Sequence, residues 1–177
     1  MNPKQLFEIR ESTQDDVAQL ADVYANAFPD EELMPLVVAL LESKEEVVSL
    51  VACVDRALVG HILMTMCGIE GRSERVALLA PLGVVSAWQR RGAGAALIAE
   101  GLRRVKALGA TQVHVLGDPA YYGRFGFRAD PGMIPPYPLP KEWDTAWQSL
   151  SLQPGETTLE GRLSVPGPWR QPALWGP

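Results

Sequence analysis

The chain has 177 residues, 47% of them apolar and 21% charged, with a formal net charge of −5. These values describe an ordinary globular chain, long enough for one domain with a sizeable core. No apolar run approaches the roughly 18 residues of a membrane span, and the first residues carry no apolar signal core.

The charge is uneven. Residues 1–50 hold eleven acidic against three basic side chains, a net −8, whereas residues 51–130 hold ten basic against six acidic, a net +4. The middle therefore suits a polyanionic ligand and the beginning a cation, although exposed acidic helix faces are also ordinary solvation. No basic block is large enough to track a nucleic-acid backbone, which disfavours nucleic acid as a partner, and no membrane partner is expected. Cys53 and Cys67 lie in apolar, strand-like surroundings. Two cysteines without a secretion signal read as buried, reduced thiols of a cytoplasmic protein.

In chain order, Glu8–Arg10 reads as a short first strand. Thr13 and Asp16 form a capping pair ahead of a helix whose apolar face is Val17, Leu20, Ala21, Tyr24, Ala27 and Phe28. Pro29-Asp30 ends it. A second helix presents Leu33, Leu36, Val37, Leu40 and Leu41. Val47–Val54 and Ala57–Met66 are strands joined by a tight reversal at Asp55-Arg56, with a polar loop over 68–75.

An apolar strand follows over residues 78–85, and Pro81 and Gly83 within it predict a bulge or splay. Then come Gln89-Arg90-Arg91-Gly92-Ala93-Gly94 and a helix from Gly92 to Leu108. That helix is expected to bury Ala95, Ile98, Leu102 and Val105 and to end on Gly109. Thr111–Leu116 is the next strand, parallel to the central one. Gly117-Asp118-Pro119 turns into a short helix over Ala120–Phe125 that Asp118 caps, and Phe127-Arg128 resumes a strand. Five prolines between 131 and 140 break the pattern. Strands are expected at 149–152 and 157–165, and the Pro-, Gly- and Trp-rich tail from 166 to 177 reads as extended. The whole is one domain, 1–177, with a core of about 5–130 and an extension over 131–177.

The strand–glycine turn–helix is the informative stretch. Glycines let the backbone approach a ligand closely, and the first amides of a helix lack partners inside it. With the helix dipole and Arg90 and Arg91 beside them, they make a site for phosphate or pyrophosphate. The spacing is not Gly-x-Gly-x-x-Gly and no Gly-Lys-Ser/Thr is present, which disfavours a dinucleotide and excludes an ATP-type loop.

Gln-x-x-Gly-x-Gly after an apolar strand resembles the acetyl-coenzyme A signature of the GNAT N-acetyltransferases. About 30 residues on, Ala120-Tyr121-Tyr122-Gly123-Arg124-Phe125-Gly126-Phe127 resembles that family's Tyr-x-x-x-Gly-Phe segment. Leu-Ala-Pro-Leu-Gly-Val-Val and the Gly-Asp-Pro-Ala-Tyr-Tyr run look most like its YhbS-like branch. The resemblance implies a mixed, mostly antiparallel α/β sheet of about seven strands, splayed between the fourth and fifth, with about four helices. It implies acetyl-CoA as cosubstrate, with no metal.

Carried over by position, the resemblance places Gln89, Arg90, Arg91, Gly92, Ala93, Gly94 and Ala95 at the pyrophosphate. It places the backbone of Leu82, Val84 and Val85 along the pantetheine arm, with an amide near Val84 or Val85 for the oxyanion. Tyr122 is the implied general acid, its ordinary pKa of about 10 keeping it protonated at neutral pH. His61 is a candidate base and Glu32, beside Glu31, a candidate contact for the acceptor amine; His114 and a water relay are alternatives for the base. The expected partner is a small-molecule or peptide amine, with a homodimer as a candidate assembly. A non-catalytic acetyl-CoA-binding module of the same fold is the alternative function.

Overall fold

A computed structural model describes residues 7–155 and 159–177. The elements are β1 (Glu8–Glu11), α1 (Val17–Ala27), α2 (Met34–Glu42), β2 (Val47–Val54), β3 (Ala57–Ile69), β4 (Arg75–Val84), α3 (Ala93–Ala107), β5 (Ala110–Leu116), α4 (Pro119–Tyr122), β6 (Arg128–Ala129), β7 (Met133–Ile134), β8 (Trp147–Ser151) and β9 (Gly161–Ser164). The described chain is thus mixed α/β with four α-helices and a mostly antiparallel sheet, as expected. Thr157 and Thr158, the first residues expected of the last strand, lie outside the described residues.

Two compact units divide these elements. The first comprises residues up to Met64 with Pro81–Arg104, the second Thr65–Ala80 with Val105–Pro177. β3, β4 and α3 run through both.

In the first unit the strand order is β1-β2-β3-β4. β1 pairs antiparallel with β2, from Glu8 opposite Cys53 to Glu11 opposite Leu50. Asp55 and Arg56, with φ of 48° and 69°, form the two-residue turn between β2 and β3, the left-handed geometry that matches strand twist. Ahead of α1, a one-turn 3-10 segment covers Gln14–Asp16. The Asp16 carboxylate accepts the Thr13 amide at 2.7 Å, and Arg10 donates to both its oxygens at 2.7 and 2.9 Å. That bidentate pair, led by the Arg10 hydrogen bond, holds the Asp16 carboxyl down at about 2.

α3 faces the first unit differently from the expectation. Its buried positions are Ala93, Gly94, Leu97, Ile98, Gly101 and Val105, while Ala95 is exposed and Leu102 is half-buried. Gly101 sets this phase. A β-carbon there would lie 2.6 Å from Met64 Cε, so the helix rests its smallest residue on β3. The exposed side carries Glu100, which accepts from Arg103 and Arg104. Gly109 ends the helix at φ 101°, as its C-cap position requires.

In the second unit the order is β3-β4-β5-β8-β6, with β9 joined to β3 and β7 to β9. β4 and β5 are parallel, but their ladder runs only from Arg75 opposite Ala110 to Leu78 opposite His114. Its irregularity falls between Arg75 and Ala77, upstream of the proline and glycine that suggested one. β8 lies antiparallel between β5 and β6. The segment read as an extension therefore supplies an interior strand of this unit.

The tail is not extended. It folds into two 3-10 turns, Gly167–Trp169 and Pro172–Trp175, and buries Trp169 and Trp175. Trp147 packs edge-on to Trp175 at 5.8 Å, and Trp169 lies 5.9 Å from Trp175. Each indole N–H finds an acceptor: Trp147 the Met133 carbonyl, Trp169 the Thr65 hydroxyl, Trp175 the Trp169 carbonyl. Trp175 is 2% exposed, so Trp175→Ala should cost about 3–5 kcal/mol and lower the urea midpoint accordingly. An unshifted midpoint would return the tail to a surface segment.

Candidate functional site

β4 leaves the sheet of the first unit through a sequence of short-range ties. The Val85 amide donates to the Val59 carbonyl of β3 at 2.9 Å. The Ser86 amide donates to Asn26 Oδ1 of α1 at 2.7 Å. Gln89 Nε2 donates back to the Val84 carbonyl at 2.9 Å. A one-turn 3-10 segment, Ser86–Trp88, is thereby anchored at both ends. Trp88 packs edge-on to Phe7 at 5.8 Å, and the Arg91 guanidinium lies over the Trp88 ring at 5.0 Å. Neither Asn26 nor Phe7 was legible as a site residue, because each acts on a stretch distant in sequence.

The turn itself is exposed at Gln89, Arg90, Arg91 and Gly92. Arg90 at φ 61° and Gly92 at φ 96° are both left-handed. For Arg90 this is a strained state, of the kind that persists where the surroundings hold it. Turns that contain left-handed residues are one of the backbone settings that gather amides around an anion. The Gly92 carbonyl accepts the Ala96 amide, which places Gly92 just ahead of the first helical turn. The amides of Ala93, Gly94 and Ala95 accordingly have no acceptor within α3. Among the described residues, a β-carbon at Gly92 would meet within 4 Å only Phe7 Cε2, at 3.9 Å. The turn thus combines, among the described residues, donors without acceptors and room above Gly92 with the positive end of a four-turn helix and two arginines. These features fit a diphosphate.

Along β4 the backbone alternates sides. The Val85 amide is spent on β3, so it is not an oxyanion donor; the amides of Val84 and Leu82 face the other edge. A side chain at Gly83 would crowd Tyr24, since a β-carbon there would lie 3.0 Å from Tyr24 Cε1, with Phe28 Cε2 in ordinary contact at 3.5 Å.

His61 is enclosed, with 0% exposure, and both its nitrogens are engaged: Nδ1 with Tyr24 Oη at 2.6 Å and Nε2 with Ser49 Oγ at 2.7 Å. Burial pushes its pKa down to about 3, against a smaller opposing pull from Asp16. A base must reach the proton it removes, and this ring reaches no solvent. Glu31 and Glu32 are exposed on the connection between α1 and α2.

In the second unit, the Asp118 side chain caps α4 through the Ala120 amide at 2.9 Å. Tyr122 ends that helix half-buried. Its ring packs on Gly117, where a β-carbon would lie 2.5 Å from Cε2, and edge-on to Tyr121 and Phe127. Burial, with the Tyr121 phenol as a lesser cause, raises the Tyr122 pKa well above the ordinary tyrosine value. Arg124 stacks over Tyr121 at 4.9 Å.

His114 is also fully buried, stacked on Trp147 at 5.4 Å, but neither ring nitrogen has a hydrogen-bond partner among the described residues. Its pKa falls to about 4, burial outweighing the pull of Asp130. Asp130 itself accepts from Gln112 and Ser149. Both cysteines are buried, and the Cys67 thiol donates to the Thr65 carbonyl at 3.5 Å. Among the described residues there is no cluster of His, Cys, Asp and Glu able to hold a metal, and no helix is long and apolar enough to cross a membrane.

The comparisons with known proteins converge. The profile of the Acetyltransferase (GNAT) family matches residues 15–127. The uncharacterized N-acetyltransferase YjhQ of Escherichia coli (strain K12) is 34% identical over 175 residues, covering 95% of this chain and 97% of that protein. A GNAT family acetyltransferase from Brucella melitensis, solved in complex with acetyl-CoA, superposes with a TM-score of 0.74 at 29% identity, over 92% of this chain and 97% of that one. The YhbS N-acetyltransferase of Escherichia coli, solved with CoA, shares the fold at a TM-score of 0.82 and 24% identity, over 97% and 96% of the two chains. These relatives agree with the resemblance to the YhbS-like branch.

Two buried neutral histidines make stability depend on pH. Each has a folded pKa below its unfolded value of about 6.5, so the unfolded chain binds more protons as pH drops. Their contribution is complete above about pH 6.5 and is lost as pH falls toward 4. Urea unfolding at pH 7.5 and 4.5 should show the loss, and His114→Leu should remove part of it. Equal stability at both pH values in the unsubstituted protein would contradict the buried, neutral state of the rings.

Proposed function

Because the chain belongs to the GNAT acetyltransferase family and is an N-acetyltransferase by that kinship, we propose that it moves an acetyl group from acetyl-CoA to a primary amine by direct attack within a ternary complex. The observation that carries this reading is the open turn before α3, with the unspent amides of Ala93, Gly94 and Ala95 behind two left-handed residues. Coenzyme complexes of the Brucella and YhbS proteins support the choice of ligand.

The thioester supplies an activated acyl group. The chain's residues then have three tasks. The turn from Gln89 to Ala95 grips the diphosphate, with Gln89 keeping the strand end and the turn in register through the Val84 carbonyl. The outward edge of β4 at Leu82 and Val84 pairs with the amide groups of the pantetheine arm as an added strand would, and the Val84 amide faces the developing oxyanion. Tyr122, kept protonated by its surroundings, donates to the departing thiolate.

His61 does not serve as a direct base in this scheme. Glu31 and Glu32, with Asp30 beside them, offer negative charge to a cationic amine; the acceptor is a small molecule or a peptide. Two buried thiols suit a reducing, cytoplasmic setting.

Ala95→Glu separates helix stability from coenzyme binding. Ala95 is exposed in the first helical turn, where a carboxylate favours the helix dipole. The same carboxylate repels a diphosphate. The variant should be at least as stable as the parent yet bind coenzyme A roughly tenfold more weakly by calorimetry. Unchanged affinity would move the diphosphate away from this turn.

Tyr122→Phe should lower turnover by about tenfold or more with little change in coenzyme A affinity, read as thiol released from acetyl-CoA with a panel of amines. An undiminished rate would remove the phenol from the chemistry. Coenzyme binding without thiol release for any amine would favour a binding module instead.

A further inference from the structure

The interior of the first unit holds a file of polar side chains that the scheme above does not use. Tyr24 Oη lies 2.6 Å from His61 Nδ1, His61 Nε2 lies 2.7 Å from Ser49 Oγ, and Ser49 Oγ lies 2.6 Å from Ser12 Oγ. The file begins in the core, where Tyr24 is 2% exposed, and ends at half-buried Ser12 beside β1. Stability alone does not call for it, since matched apolar side chains in place of hydrogen-bonded pairs are often neutral or better.

Each member both donates and accepts. A neutral imidazole has one N–H and one lone pair, and each hydroxyl can play either part. Two self-consistent orders follow. In one, Tyr24 donates to His61, His61 to Ser49 and Ser49 to Ser12. In the other, every donor and acceptor is exchanged. Passing from the first to the second moves one proton from the Tyr24 end to the Ser12 end without lodging charge on the enclosed ring.

The inner end of the file sits against β4. The edge of the Tyr24 ring that includes Cε1 packs on Gly83, between the Leu82 and Val84 backbone groups assigned above to the pantetheine arm. We propose that Tyr24, His61, Ser49 and Ser12 form a proton relay that carries to solvent the proton shed by the attacking amine. The assignment rests on the acetyl-transfer reading.

The step balances. The amine nitrogen forms its bond to the acyl carbon and loses one proton, which reaches Tyr24 Oη through a bridging water. Tyr24 passes its own proton to His61 Nδ1, His61 gives its Nε2 proton to Ser49, Ser49 gives its proton to Ser12, and Ser12 releases one to bulk water. The C–S bond breaks separately, and its sulfur takes a proton from Tyr122. After the products leave, one proton entering at Ser12 and passing inward along the file to water at Tyr24 returns the imidazole to its first tautomer, and the Tyr122 phenolate regains a proton from solvent.

The test is the exchange of the His61 ring N–H with water, read by NMR of the full chain labelled with nitrogen-15 histidine. His114 serves as the internal reference: it is as deeply enclosed but has no hydrogen-bond partner among the described residues. The relay requires His61 to exchange roughly tenfold or more faster than His114, after correction for global opening. Ser49→Ala should slow it to the His114 rate, and Ser49→Thr, which keeps the hydroxyl, should restore it. Equal rates for the two rings, or indifference to Ser49→Ala, would overturn the relay.

With any amine that turns over, Ser49→Ala should also lower kcat about fivefold or more at unchanged coenzyme A affinity, with rescue by Ser49→Thr. Fast exchange with undiminished kcat would overturn the catalytic assignment. Failure of every amine to release thiol would strike the acetyl-transfer reading instead, while the exchange rates would still decide whether the file conducts protons.

Discussion

Everything at the candidate site depends on how the end of β4 is held. The strand leaves the sheet with its Val85 amide spent on Val59, its Ser86 amide on Asn26 and its Val84 carbonyl on Gln89. Each tie uses a backbone group that would otherwise need water or ligand. What the ties leave over is therefore specific: the outward groups of Leu82, the outward amide of Val84, and the first amides of α3. A turn that satisfied its own donors would present a diphosphate with nothing to bind. The strained Arg90 and the left-handed Gly92 belong to the same economy of donors, because regular dihedrals would aim those amides along the chain.

The two histidines show how completely environment decides what a residue can do. His61 and His114 are both strand residues with no exposure, and both are held neutral by burial. His61 has a hydroxyl on each nitrogen, so its cost of burial is largely offset. His114 has an indole face and no partner among the described residues, so its ring is tolerated as a flat, stacked group. The pattern of a lone histidine in an apolar strand is the same for both. Only the three-dimensional neighbours distinguish a link in a hydrogen-bonded file from a stacking element.

Much of the architecture was legible because it follows from local periodicity. The apolar spacing of Val17, Leu20 and Tyr24 pointed to α1, although Val23 joins Leu20 and Tyr24 in the core, and the β-branched content of Val47–Val54 pointed to β2. Asp118 capped α4 and Gly109 ended α3 for reasons that a few neighbouring residues contain. The phase of α3 was not legible. Ala95 and Gly101 are both small, and which of them faced inward depended on Met64, a residue of β3 that no local count connects to the helix. The tail misled for a related reason. Proline and glycine forbid long helices and strands, which from sequence alone resembles an unattached segment, yet 3-10 turns satisfy the same restrictions and seat Trp169 and Trp175 in a core.

By itself the sequence determined the order and kind of the principal elements, the glycine turn that opens α3, and the family to which that turn points. All of these depend on residues within a turn or two of one another. Tertiary structure alone decided which amides at the end of β4 stayed unspent, that β8 entered an interior position of its unit, and that Ser12, Tyr24, Ser49 and His61 met end to end. Those outcomes depend on distances between segments far apart along the chain, set by how side-chain volumes close-pack, and no local pattern encodes them.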